Sequence, residues 1–222
     1  LESSAVNAGG VAKLAGASGV TVASIKGASV DAQSSGGGVT VGTGTGSSFV
    51  AGTVTATSGA VNVAASKDVI AGAIDAATTA TVTAAQGVVT LANVAAKAGD
   101  LKIVGKNAVK TGDVTGSAAV DLVSESATLK SSAVNAGGVA KLAGASGVTA
   151  ASLKGTSIDV QSSGGGLSVG TGTGSNFVAG AVTATTGAVN VAVSKDVIAG
   201  AIDATTSATV RAAQGAETLA NI

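Results

Sequence analysis

Cysteine, histidine, proline, methionine, tryptophan and tyrosine are all absent from this 222-residue chain, and phenylalanine occurs twice. Without cysteine there is no disulfide, no thiolate metal site and no thiol nucleophile. Without histidine there is no imidazole base and no histidine-containing triad. Two aromatic rings supply neither the bulk on which compact globular cores draw nor the girdles of a membrane β-barrel. Charged residues make up only 11% of the chain and balance to a net charge of zero, so no global field favours nucleic acid. A hydrophobic content of 45% at so low a charge is the opposite of a disordered composition. No uninterrupted apolar run approaches the roughly 18 residues of a membrane-spanning helix. Alanine is plentiful, but Val, Thr and Gly interrupt every candidate helix. The start, LESSAVNAGG, lacks the charged and apolar regions of a signal peptide. Neither end resembles a cap, so the chain reads as an internal piece of something longer.

What is present is repetition. Residues 3–21 and 131–149 are identical, and the whole of Leu1–Val94 recurs as Leu129–Ile222 with roughly four positions in five unchanged. Inside this duplication runs a shorter period of about 19–20 residues. Lines of that length open with an alternating apolar pair: Val61/Val63, Leu101/Ile103, Val120/Leu122. A second apolar position follows at Val69, Val109, Leu129 and Val148, and a third at Ile74, Val114, Val134 and Leu153. Gly, Ala, Ser, Thr and Asn fill the gaps. Alternation with period two sends one side chain inward and the next outward. Three such segments per line predict one coil of a three-sided parallel β-helix, an all-β solenoid in which stacking completes a core no single coil can bury. About ten coils at ~4.8 Å spacing predict a rod on the order of 50 Å long. The expected organisation is one β-helix segment over 1–222, carrying the duplication 1–94 and 129–222.

Val30–Ala60 and its copy Ile158–Ala188 fit the period poorly, and each reads as half a coil too long. The excess is assigned to Gly-rich bulges, GTGTGSS and GTGTGSN, with Phe49 and Phe177 plugging the core just after them. The two copies also act as a natural substitution set. The pairs Ile25/Leu153, Val30/Ile158, Val39/Leu167 and Val94/Ile222 stay aliphatic and are expected to face inward. The pairs Glu2/Lys130, Thr83/Arg211 and Val89/Glu217 change polarity and are expected to face solvent.

Chemistry-bearing candidates are few. Paired carboxylates can hydrolyse glycosides, but one arginine and no Trp or Tyr leave little to hold a sugar, and the acids read as solvated turn residues. No catalytic residue is assigned and an enzyme is not expected. SSGGGVTVG and SSGGGLSVG have the glycines of a calcium-binding nonapeptide but no following aspartate, so no metal or other cofactor is expected. The Thr-x-Thr pairs at 43–45, 53–55 and 81–83 do not recur at one place along the coils, which argues against an ice-ordering threonine array. Asn62, Asn93, Asn107, Asn135 and Asn190 sit at turn-like places and suit a structural ladder. The densest basic cluster is Lys97, Lys102, Lys106 and Lys110, in the segment present once. Lys102, between Leu101 and Ile103, points outward if they point in. If enough of the four share a face, they form a patch for a sulfated glycan or other anionic surface.

Lines such as GAVNVAASKDVIAGAIDAATTA and GDLKIVGKNAVKTGDVTGSAA resemble the hemagglutinin repeats of filamentous-hemagglutinin-type proteins, the large two-partner-secreted exoproteins of Gram-negative bacteria. The resemblance covers nearly the whole chain and lies in a repeat style, an opening V/L-x-V/I, small residues, then V-x-x-G-x-I/V. It names no active residue. It implies a right-handed parallel β-helix shaft, secreted or held on the bacterial cell surface, that works in adhesion to host cell-surface glycans or receptors. It also implies an outer-membrane secretion partner for the full-length protein. Related shafts carry contact-dependent growth-inhibition toxins. No Arg-Gly-Asp occurs, so no integrin motif carries over.

Overall fold

The structure is a computed structural model that describes residues 1–26, 29–43, 48–170, 177–193 and 196–220. The Gly-rich bulges assigned to GTGTGSS and GTGTGSN fall largely outside the described residues. Among those described there is no helix, and parallel strands stack coil on coil into two main sheets. Sheet I holds twelve strands and starts at Glu2–Ser3; sheet II starts at Val11–Gly16. A solenoid of this length, at the ~4.8 Å strand spacing, measures about 50 Å.

The coil has three sides, as the alternation predicts, but two sheets. In the coil from Val61, the first side is Val61–Ala65, with Val61, Val63 and Ala65 inward. The second and third sides form one bent strand, Val69–Ala76, with Val69 and Ala71 inward before the corner at Gly72–Ala73 and Ile74 and Ala76 inward after it. The inward positions at the corner are vacated by two successive outward-facing small residues, which lets backbone pairing continue round it. In the coil at Val109 the corner opens at Gly112 and Asp113, and the strand divides into Val109–Thr111 and Val114–Gly116. Every apolar position named from the period is buried, and the inward residues form one continuous aliphatic core. Stacking removes each from water on both sides, worth ~1.5–3 kcal/mol per Val, Leu or Ile.

The coil length is elastic. Val61 pairs with Ala80, Ala80 with Leu101 and Leu101 with Val120, so the middle step of the three is longer than its neighbours. This corrects the reading of Val30–Ala60. Val39 pairs directly with Val61, so that coil exceeds its neighbours by a small increment and not by half a coil. The surplus is taken up by register shifts between Val30 and Ala32, and between Ile158 and Asp159 in the copy. Phe49 and Phe177 are fully buried beside these irregularities, as expected of core plugs. Gly19 and Gly147, at matching places in the two copies, are the only described residues with positive φ (139° and 133°), a conformation open to residues without a Cβ.

The two copies do not occupy the same sheets. Val11–Gly16, Phe49–Ala56 and Val69–Ala76 lie in sheet II, whereas their duplicates Val139–Gly144, Phe177–Ala184 and Val197–Ala204 lie in sheet I. From Val69 the column runs Val89, Val109, Leu129, Val148, Leu167 and Val189. Val189 is the duplicate of Val61, so the second copy enters the stack one side further round. The long bent strand accordingly belongs to sheet II in the first half and to sheet I after Phe177.

The copy-to-copy substitutions mostly face as expected. Ile25, Leu153, Ile158, Val39, Leu167 and Val94 are buried, while Glu2, Lys130, Arg211 and Glu217 are exposed and Thr83 is half-buried. The side chain of Val30 and residue Ile222 lie outside the description. Val89 corrects the rule: it is 0% exposed, between Val69 and Val109 in the core column. Glu217 pairs with the buried Val197 and so holds the same kind of inward register position; it is exposed because no described strand stacks beyond it.

Candidate functional surface

The four lysines do not form one patch. Lys97 Nζ meets Asp75 Oδ2 at 2.7 Å and Lys106 Nζ meets Glu125 Oε2 at 2.9 Å, each on a neighbouring coil. Lys102 points outward from Leu101–Gly105 as expected and stands 3.9 Å from Asp121 Oδ2. Three of the four are therefore paired with an acid, and the pairs are scattered: Lys97 and Lys106 follow the ends of strands, while Lys102 lies within sheet I and Lys110 within sheet II. Lys110 has no ion pair among the described residues and lies in register with Lys130 on the next coil. Lys130 was not among the candidates, because its neighbour across the coil can be seen only once the register is known.

The acids do more than face water. Asp68 Oδ1 accepts the Val88 N–H at 2.9 Å, Asp100 Oδ1 the Ala119 N–H at 3.0 Å, Asp113 Oδ1 the Ala133 N–H at 3.3 Å and Asp196 Oδ1 the Ala216 N–H at 2.9 Å. Each bond spans one coil at a turn or, for Asp113, at the open corner, where the sheet ladder is broken and a backbone donor needs a partner. Asn93 Oδ1 does the same for the Asp113 N–H at 3.2 Å, and Asn107 Nδ2 donates to the Gln86 carbonyl at 3.0 Å. Asn93 and Asn107 thus bridge neighbouring coils as the ladder reading expects. Inside the core, Thr111 Oγ1 donates to Ser131 Oγ at 2.9 Å and Ser131 Oγ to the Gly112 carbonyl at 3.3 Å, so both buried hydroxyl donors have an acceptor.

The outward threonines are better ordered than the sequence suggests. Thr21, Thr40, Asn62 and Thr81 stack in one column of sheet I, and their duplicates Thr149, Ser168, Asn190 and Thr209 in one column of sheet II. Each column ends against charge: Thr81 adjoins Lys102, and Thr149 adjoins Lys130. They are single columns of mixed hydroxyl and amide.

Among the described residues no group of three or more acidic side chains could hold a metal ion. A shallow surface depression of about 310 Å³ is lined by Ala15, Gln33, Ser34 and Thr57 and bears no titratable side chain. No described helix is long and apolar enough to cross a membrane. What the surface offers chemically is backbone and hydroxyl hydrogen bonding, a row of alternating charges on sheet I and the Lys110–Lys130 pair on sheet II. Comparison of the chain with protein-family models, with curated proteins and with solved structures finds no match.

Proposed function

We propose that this β-solenoid is a shaft segment of a secreted bacterial surface adhesin of the filamentous-hemagglutinin type, holding distal binding regions away from the cell. The observation that carries the reading is the continuous aliphatic core, backed by sheets that run coil to coil along the rod. Such a body is stiff and extended, and its stability is shared between neighbours. The resemblance in repeat style supports the family reading, and the outer-membrane secretion partner and the location at the cell surface are what that resemblance implies. The polar groups at the turns serve the stacking itself, which suits a non-enzymatic, mechanical role. A stalk for a growth-inhibition effector is the same role with a different tip.

The test is an in-frame deletion of residues 1–222 from the full reading frame, scored for surface display and host-cell attachment. A spacer role expects attachment to fall and to recover when an unrelated solenoid of equal length is inserted. Recovery only with this sequence would overturn it. A second reading, direct contact with host glycans, is favoured by one observation, the Lys110–Lys130 stack, which has no ion pair among the described residues. Heparin retention that drops for Lys110→Gln/Lys130→Gln, and holds for Lys97→Gln/Lys102→Gln/Lys106→Gln, would support that reading.

A further inference from the structure

Four charges on sheet I stand in one file. Lys102, Asp121, Lys141 and Asp159 take the same outward register position on the successive strands Leu101–Gly105, Val120–Ser124, Val139–Gly144 and Ser157–Ser162. Their signs alternate: plus, minus, plus, minus. Two residues further along each strand runs a second file of half-exposed or exposed side chains, Val104, Val123, Ala143 and Gln161. Glu2 opens the first file on the first strand of the sheet, but the three strands just before Leu101–Gly105 put only small uncharged residues in these two files, Thr40 and Gly42, Asn62 and Ala64, Thr81 and Thr83. Charge and aliphatic bulk therefore enter this face together, over four coils. Within the file, only Lys102 and Asp121 come within ion-pair reach, at 3.9 Å, and among the described residues Lys141 and Asp159 have no ion pair.

We infer that this face of sheet I is an interface for a second copy of the chain, with the two rods side by side and antiparallel. The argument is one of symmetry. A two-fold axis that lies in the contact plane, along the strand direction and midway between Asp121 and Lys141, reverses the rod while leaving each file opposite itself. Lys102 then faces the partner's Asp159, and Asp121 faces the partner's Lys141, so each of these four charges meets its opposite. Val123 faces the partner's Ala143, and the aliphatic file packs on itself. Parallel rods in register would oppose Lys with Lys and Asp with Asp, which is repulsive. The alternation thus selects one orientation, and the contact is isologous, as closed dimers require. With the axis there, the third to twelfth strands of the sheet overlap those of the partner. Ten strands at ~4.8 Å and five residues at ~3.3 Å give a face on the order of 800 Å² per chain, near the size of a standard interface. Exposed charge pairs contribute little each and are screened over ~8 Å at physiological ionic strength, so the dimer is weak and salt-sensitive.

Sedimentation equilibrium of the chain at low and high salt tests the association. The expected result is a dimer at low salt that dissociates as salt rises. Asp121→Lys places Lys against Lys141 of the partner subunit and is expected to raise the dimer Kd about tenfold or more. Asp121→Lys combined with Lys141→Asp restores opposite signs across the axis and is expected to recover the dimer, which separates a lost contact from a damaged fold. Orientation is read separately. The chain has no cysteine, so Thr40→Cys carries the only spin label. Antiparallel rods put two such labels on the order of 40 Å apart, nine strand spacings along the rod, whereas parallel rods put them side by side. A chain that stays monomeric at low salt, an Asp121→Lys variant that dimerises like the parent, or labels within about 20 Å of each other by the same strand-spacing geometry would each overturn the inference.

Discussion

Val189 repeats Val61 in the second copy, yet it stacks above Leu167 in the column that begins with Phe49 and Val69, in the opposite sheet from Val61. The duplication offset is six coils and one side. The stack tolerates it because all three sides ask for the same thing inward, a medium aliphatic or an alanine, and the same small residues at the corners.

The change of side can be read by cross-linking. Lys130 repeats Glu2 of sheet I but lies beside Lys110 of sheet II, not beside Asp121 of sheet I. Strand neighbours in register have Cα atoms about 5 Å apart, within the range a disulfide bridges. Lys110→Cys/Lys130→Cys is expected to close an intramolecular disulfide on oxidation, and Asp121→Cys/Lys130→Cys to leave free thiols. Thiol titration after mild oxidation checks both.

The buried hydroxyl pair gives a double-mutant cycle. Ser131→Ala leaves the Thr111 hydroxyl buried without its acceptor, at an expected cost of about 1–3 kcal/mol. Adding Thr111→Val removes the orphaned group, so the double variant is expected to recover most of the loss. Urea denaturation midpoints measure the cycle.

The turn carboxylates are expected to act through geometry more than charge. Asp100→Ala deletes the acceptor of the Ala119 N–H and is expected to cost about 1 kcal/mol. Asp100→Asn keeps an oxygen at that place and is expected to retain most of the stability. Equal loss in the two variants, by urea denaturation, would show that the charge is what counts.

Val120→Asp puts a carboxylate between Leu101 and Ala140 in a fully buried column, at an expected cost of several kcal/mol. Each coil contacts its neighbours only. Lost hydrogen-exchange protection is therefore expected to centre on residues 101–157 and to fade toward both ends. Uniform loss along the chain would show that the rod unfolds as one unit.

The columns were legible because inward positions repeat at a nearly constant interval with little variety: Val61, Leu101 and Val120 announce a side wherever they occur. Three things were not legible. Coil length varies along the rod, from the short step that pairs Ala12 with Val30 to the long one that pairs Val39 with Val61. Register is a running sum of such steps, so small errors hid both the coil boundaries around Val30–Ala60 and the change of sheet between copies. Facing was also inferred from polarity change, which fails where the stack is covered on one side only: Val89 is core although its duplicate is Glu217. The lysine cluster was dense in sequence, but ion-pair partners in a solenoid stand a full coil away along the chain. Asp75, Asp121 and Glu125 could therefore be matched to Lys97, Lys102 and Lys106 only from the fold.

The sheet hydrogen bonds run along the rod, each joining one coil to the next. Tension applied to the two ends of such a rod reaches those bonds in series, and the outermost coil peels first. A coil of about 20 residues contributes ~4.8 Å of rod but on the order of 65 Å of extended chain. Each coil given up therefore lengthens the tether more than tenfold relative to the rod it came from, while the remaining stack keeps its core. A rod of this construction pays out line under a sudden pull and yields in small steps, which makes it a damper as well as a spacer.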